Sequence, residues 1–152
     1  YQGVVSSHSW ADDTTYRRII QSGGLVTPYA GSAQGFVNAW TKEKAWADPQ
    51  FGYALGFGSD VNGFGAQGAP RGANNANKVT YPFTGFGGTT VSKQRAGQRL
   101  YDINTDGVAQ YGLYPDWIED LRKIAGQAIV DDLAKGAEAY LQVWERAVLW
   151  EP

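Results

Sequence analysis

The sequence predicts an α/β fold, built from successive βα units of a parallel sheet or barrel, and three observations carry that expectation. Residues 3–8, 25–29 and 53–59 are short apolar runs that turn polar at their ends. Buried parallel strands read this way when their C-terminal ends open on a site. Stretches with helical spacing lie between them, and such alternation gives parallel sheets. The chain then closes in a tail whose apolar residues recur every three or four positions, the stripe of a core-facing helix.

Taken in order, the first strand is Gly3 to His8. Asp12 and Asp13 then lead a helix over Thr14 to Gln21, with Tyr16, Ile19 and Ile20 at helical spacing and Gly23-Gly24 as its stop. Leu25 to Tyr29 is the second strand. Phe36, Val37 and Trp40 predict a helix to about Trp46, ended by Pro49, and Tyr53 to Asp60 is the third strand. Residues 64–107 interrupt the pattern as an inserted loop, rich in Gly, Ala and Asn at its start. Within it, Val79–Phe83 and Thr89–Val91 flank Gly85 to Gly88 as a small hairpin. Loops of this length in a compact domain are usually functional. Pro115 to Arg122 is a helix with proline in its first turn. Gly126 breaks it, and Ala128 to Val148 reads as one long helix with Ile129, Leu133, Ala137, Tyr140, Leu141, Trp144 and Val148 on one face. Residues 1–152 are thus one segment of a single domain, with C-terminal helices over 115–150.

Composition narrows the function. Hydrophobic residues make up 43% and charged residues 18% of 152 positions, which excludes a disordered chain. A net charge of −2 with scattered basic residues argues against nucleic acid as a partner. No apolar run reaches the roughly 18–20 residues that span a membrane. Cysteine is absent, so neither disulfides nor thiolate metal sites are available. Methionine is absent too, and Tyr1-Gln2-Gly3 runs straight into a strand. The chain reads as though it starts inside a fold, with an unpaired sheet edge that keeps it from folding alone. A Cys-free, Lys-poor, aromatic-rich composition suggests a secreted bacterial protein.

His8 is the single histidine, and it stands where a strand ends; Asp60 has the same kind of place on the third strand. In parallel barrels function gathers at C-terminal strand ends, and an imidazole and a carboxylate can converge there on a metal and its water. The plain alternative is a hydrogen-bonded histidine and a capping aspartate. Arg71, among the loop glycines, faces either an anionic substrate group or solvent. Six tryptophans and nine tyrosines offer stacking faces for sugars, but Trp117, Tyr140 and Trp144 have the spacing of core residues. Asn104-Thr105-Asp106-Gly107 looks like part of a calcium loop but lacks the further acidic ligands; it reads as a turn.

Ser7-His8-Ser9, followed about fifty residues later by Gly56-Phe57-Gly58-Ser59-Asp60-Val61-Asn62-Gly63, resembles the renal (membrane) dipeptidase family. That family carries S-H-S at the end of a late barrel strand and G-[IF]-G-[SG]-D-F-D-G at the last. Tyr114-Pro115-Asp116-Trp117-Ile118-Glu119-Asp120-Leu121 resembles its next helix, and Gly136 to Glu145 its closing helix. The resemblance implies the C-terminal portion of a (β/α)8 TIM barrel, about strands six to eight. It also implies a site of one or two metal ions, usually zinc, hydrolysing amide bonds of small peptide substrates. By position, His8 would ligate metal, Asp60 would take and return the proton of the metal-bound water, and Tyr29 and Asn62 would lie near substrate.

Two departures accompany the match. The family has aspartate where Asn62 stands, and its substrate-binding arginine has no counterpart, since Arg17 and Arg18 fall in a predicted helix. The family's remaining ligands, an H-x-D pair, a glutamate and a second histidine, would come from the N-terminal part of the barrel as another chain or segment. The rival expectation is a non-catalytic barrel relative that binds glycan or assembles with partner chains, with a homo-oligomer among the options.

Overall fold

The structure is a computed structural model that describes residues 5–7, 12–59 and 67–149. It is a mixed α/β molecule with small sheets. Strand β1 (Val5–Ser7) pairs in parallel with β2 (Leu25–Thr27), Val5 opposite Leu25 and Ser7 opposite Thr27. Helix α1 (Asp13–Gln21) connects them. Its cap is Asp12, whose Oδ1 accepts the Thr15 N–H at 2.8 Å, and Ile19 and Ile20 are its buried residues.

The third predicted strand is reduced to one parallel bridge, Tyr29 with Gly58, with the Ala30 N–H donating to the Gly58 carbonyl at 2.8 Å. Two contacts explain why no longer ladder forms. The Leu55 N–H donates at 3.3 Å to the carbonyl of Asp132 rather than to a strand. At Gly56, a Cβ would lie 2.8 Å from Cγ2 of Thr27, so the segment approaches β2 as closely as it does only because residue 56 is glycine.

Helix α2 (Ala33–Lys44) starts three residues before the expected Phe36, because Ser32 caps it through the Gly35 N–H at 3.2 Å. The predicted hairpin is present but shorter, β3 (Phe83–Thr84) antiparallel to β4 (Thr90–Val91) across a 3-10 turn at Phe86–Gly88. Val79 is not in a strand: the side-chain amide of Asn104 takes both of its backbone groups, accepting its N–H at 3.0 Å and donating to its carbonyl at 2.9 Å. A second hairpin, β5 (Arg95–Ala96) with β6 (Arg99–Leu100), turns at Gly97-Gln98. Its strands are exposed and carry no apolar alternation to announce them. Residues 103–106 form a short helix, α3 (Ile103–Asp106), capped by Asp102, which accepts the Asn104 N–H at 2.9 Å.

Helix α4 (Tyr114–Ala125) ends at Gly126 and is followed by α5 (Gln127–Ala134) and α6 (Gly136–Leu149). The single helix expected over 128–148 is therefore two. At the junction a Cβ on Gly136 would stand 2.7 Å from the Leu55 carbonyl oxygen, so the start of α6 meets the backbone of the 53–57 segment only because residue 136 is glycine. The main core joins α2, α4 and α5 through Phe36, Leu55, Leu113, Trp117, Leu121 and Ile129.

Helix α6 meets the body along one face. Gly136, Ala139, Val143 and Arg146 face the body, and Val143 is buried, while Tyr140, Leu141, Trp144 and Val148 are 52–69% exposed. The expectation that Tyr140 and Trp144 are core residues is corrected accordingly; only Trp117 is. Replacing Leu141 and Trp144 together with serine should shift the unfolding free energy by no more than about 0.5 kcal/mol. Val143→Asp should cost about 2–4 kcal/mol, because it buries an unpaired polar group. Urea unfolding of both variants checks this, and similar losses in the two would refute the assigned orientation.

Candidate functional site

Of the five residues singled out above, His8, Asp60 and Asn62 lie outside the described residues. Tyr29 lies where the sequence places it, just past the C-terminal end of β2, bridged to Gly58 and 43% exposed. The turn after it is fixed from the helical side. Gly31 N–H donates to the Tyr29 carbonyl at 2.9 Å, and the indole N–H of Trp117 donates to the Gly31 carbonyl at 3.1 Å. Beside it, Phe57 lies 5.5 Å from Tyr114 and 5.4 Å from Trp117, and Tyr111 stacks on Tyr114 at 6.3 Å. The strand end thus carries a half-exposed aromatic border on a rigid helical support.

Arg71 is held elsewhere. Its Nε donates to both carboxylate oxygens of Asp120 on α4, at 2.8 and 3.0 Å, and its Nη2 donates to Asp120 Oδ1 and to the Asn77 carbonyl. The Arg71 side chain is 16% exposed and that of Asp120 9%. In this position Arg71 anchors the 67–78 loop to α4.

Two buried carboxyl groups were not foreseen. Asp116, fully buried in the first turn of α4, accepts the Tyr81 hydroxyl at Oδ1 and has an unpartnered Oδ2. Burial pushes its carboxyl above the usual carboxylate range, against the Tyr81 hydrogen bond that favours the charged form. Tyr81 also accepts the Ile103 N–H at 3.3 Å, so this pair ties α4 to the insertion.

Glu43, on α2, is 3% exposed, and its Oε2 has no hydrogen-bond partner. Its signal was in the sequence: it continues the 3–4 spacing of Ala33, Phe36 and Trp40, so an acid was due on the inward face. It lines a cavity of about 370 Å3 between α1 and α2, floored by Val26 and Pro28 and reaching Tyr29 and Ser32. Burial pushes the carboxyl up to about 7; Lys42 opposes the shift and Asp13 adds to it. The neighbouring Tyr53 hydroxyl is also buried without a partner, and it is raised by burial and then by Glu43 and Asp132.

The shift at Glu43 makes stability depend on pH. A folded carboxyl raised from 4.5 to about 7 contributes stability that is complete below pH 4.5 and is lost as pH rises through 7. Against Glu43→Gln, which stays neutral, the native protein should lose about 2–3 kcal/mol between pH 4.5 and 8. Denaturant titrations at the two pH values measure it. Parallel pH dependence in the two proteins would exclude a buried, raised Glu43.

Among the described residues no group of three His, Cys, Asp or Glu side chains is placed to hold a metal ion, so no metal is assigned to them. No helix among the described residues is long and apolar enough to cross a membrane. The chain matches no family model, no curated protein and no solved structure.

Proposed function

We propose that these residues form the C-terminal portion of a (β/α)8 barrel in a metal-dependent hydrolase, similar to the renal dipeptidase family, that cleaves amide bonds of small substrates. The observation that carries the reading is direction. β1 pairs in parallel with β2, and Tyr29 bridges Gly58 in the same sense. The chain therefore leaves all three segments at one end, where it continues to His8, Tyr29 and Asp60, and barrel enzymes carry their sites at that end.

In this proposal His8 is a metal ligand, Asp60 accepts a proton from the attacking water and returns it to the leaving amine, and Tyr29 and Asn62 border the substrate. The metal, one or two zinc ions, takes its other ligands from an N-terminal part of the barrel outside these 152 residues. The test is made on the intact parent enzyme, with metal content and amide hydrolysis measured together. Asp60→Asn should lower turnover by about 10²–10⁴-fold with metal content kept, whereas His8→Ala should lower both. Unchanged hydrolysis in both variants overturns the proposal.

A second reading, a non-catalytic module that assembles with partner chains, is favoured by the exposed Tyr140, Leu141, Trp144 and Val148 on α6. The sequence ahead of these residues in the parent discriminates. An H-x-D pair, a glutamate and a second histidine at strand ends support the hydrolase, and their absence supports the module.

A further inference from the structure

We propose that the outward face of α6 is a self-docking surface, on which a second copy of this chain lays its own α6 antiparallel about a two-fold axis. This rests on the assembly reading of that face, whose partner it names, and not on the hydrolase chemistry. Gly136, Ala139, Val143 and Arg146 turn to the body, and only Val143 among them is a large apolar residue. Ala137, Leu141, Trp144 and Val148 turn away from it, all exposed, at intervals of four, three and four residues. That spacing is the a/d seam of a helix that packs on another helix. The helix thus gives its own body the lesser of its two apolar faces.

Area sets the scale of the contact. Tyr140, Leu141, Trp144, Val148 and Leu149 are 52–70% exposed. An aromatic side chain amounts to about 150–250 Å2 and a leucine or valine to roughly 100 Å2, so the strip offers about 400–500 Å2. Two such strips bury about 800–1,000 Å2 before their flanks are counted, the scale of a weak but specific interface. A single exposed leucine needs no partner, but a contiguous strip of this size with tryptophan near its centre marks a docking surface.

The strip also carries its own complement. At its start, Ala137 borders an apolar cavity of about 340 Å3 whose walls include Leu133, Ala134, Phe57 and Phe86. At its end stand Val148 and Leu149, both exposed. Helix α6 runs from Gly136 to Leu149, so a two-fold axis through its middle passes between residues 142 and 143. That axis sets Ala137 against the partner's Val148 and Leu141 against the partner's Trp144. Each helix end brings an apolar knob to the other copy's cavity, the reciprocal contact of a two-fold interface. One flank opposes pairing: Glu138 and Glu145, a heptad apart, share an edge of the seam, and the antiparallel arrangement brings Glu138 beside the partner's Glu145. The pair is therefore weak, with a dissociation constant of about 1–100 μM.

Analytical ultracentrifugation of the intact parent tests this, over protein concentrations of about 1 to 200 μM. The mass should rise from that of one copy toward that of two. Leu141→Ser with Trp144→Ser should keep the fold by circular dichroism and weaken the dimer about tenfold or more. Glu145→Lys turns the like-charged flank attractive and should tighten the dimer about threefold or more. The urea comparison of the serine pair given above is made below the dissociation constant, where α6 stands alone. A dimer indifferent to the serine pair overturns the proposal, and so does a Glu145→Lys dimer no tighter than the native one, which would exclude the antiparallel arrangement. A parent that stays monomeric throughout overturns it too, because the rest of the parent would then be what covers α6. If the sequence ahead of such a monomer carries the H-x-D pair, the glutamate and the second histidine, the hydrolase reading stands without the dimer.

Discussion

Replacing Trp117 with alanine should lower the unfolding free energy by about 3–5 kcal/mol, the cost of emptying a large aromatic site in a core. The side chain is 2% exposed. Its ring meets Phe36 edge-on at 4.8 Å and 72°, and Tyr114 and Phe57 close the cluster at 5.9 and 5.4 Å. Its indole N–H holds the Gly31 carbonyl. Because domains are stable by only about 5–15 kcal/mol, this one change removes a large share. Trp117→Phe separates the two contributions. It keeps most of the ring packing and loses the hydrogen bond, so it should cost about 1–2 kcal/mol. Chemical denaturation decides: a loss below about 1 kcal/mol for Trp117→Ala would mean that the α2–α4 contact is not what holds the core. The variant also bears on function, since freeing Gly31 loosens the turn that follows Tyr29 and should disturb the strand end before any chemistry is touched.

What the sequence announced and what it concealed follow from the range of the interactions involved. Helices α1, α2 and α4 were legible because their signals are local: Asp12 and Asp13 ahead of a first turn, Pro115 in another, and apolar residues on one face, though the Ser32 cap that starts α2 three residues early was not read. The parallel relation of β1 and β2 was legible for the same reason, an apolar run on either side of a helix. The third strand was over-read. Nothing near Leu55 in sequence says that its N–H will go to Asp132, seventy-seven residues later. The split between α5 and α6 was hidden likewise, since Gly136 sits in an unbroken helical pattern and only its approach to the Leu55 carbonyl explains the turn. The reading of Tyr140 and Trp144 failed for a different reason: periodicity says that a helix has an apolar face, not which way the face points. At the candidate site, Tyr29 was placed correctly at a strand end. Glu43 was overlooked because an acid within an apolar stripe looks like the end of the stripe.

Arg71→Ala should be nearly as costly as the loss of Trp117, about 3–5 kcal/mol, because it strands a buried carboxylate. Asp120 is 6% exposed, and Arg71 reaches it through Nε and Nη2 while also holding the Asn77 carbonyl. Removing one partner of such a pair leaves the other charged and dry, whereas replacing both with apolar residues of similar size is often close to neutral. The double variant Arg71→Met with Asp120→Leu should therefore recover most of the stability that Arg71→Ala loses, and urea unfolding measures both. A loss under about 1 kcal/mol in the single variant, or no recovery in the double, would contradict a buried pair.

The same double variant separates the two roles that Arg71 was offered. If it is an anchor for the 67–78 loop, the refolded double variant keeps the KM of the proposed hydrolase activity, since the loop is again seated on α4. If instead the guanidinium binds an anionic substrate group, KM rises in the double variant as much as in the single one, whatever the stability does. The geometry favours the anchor. A fork already satisfied by a buried carboxylate and a backbone carbonyl would have to leave both to reach a ligand, and that exchange gives up contacts as strong as any it could make.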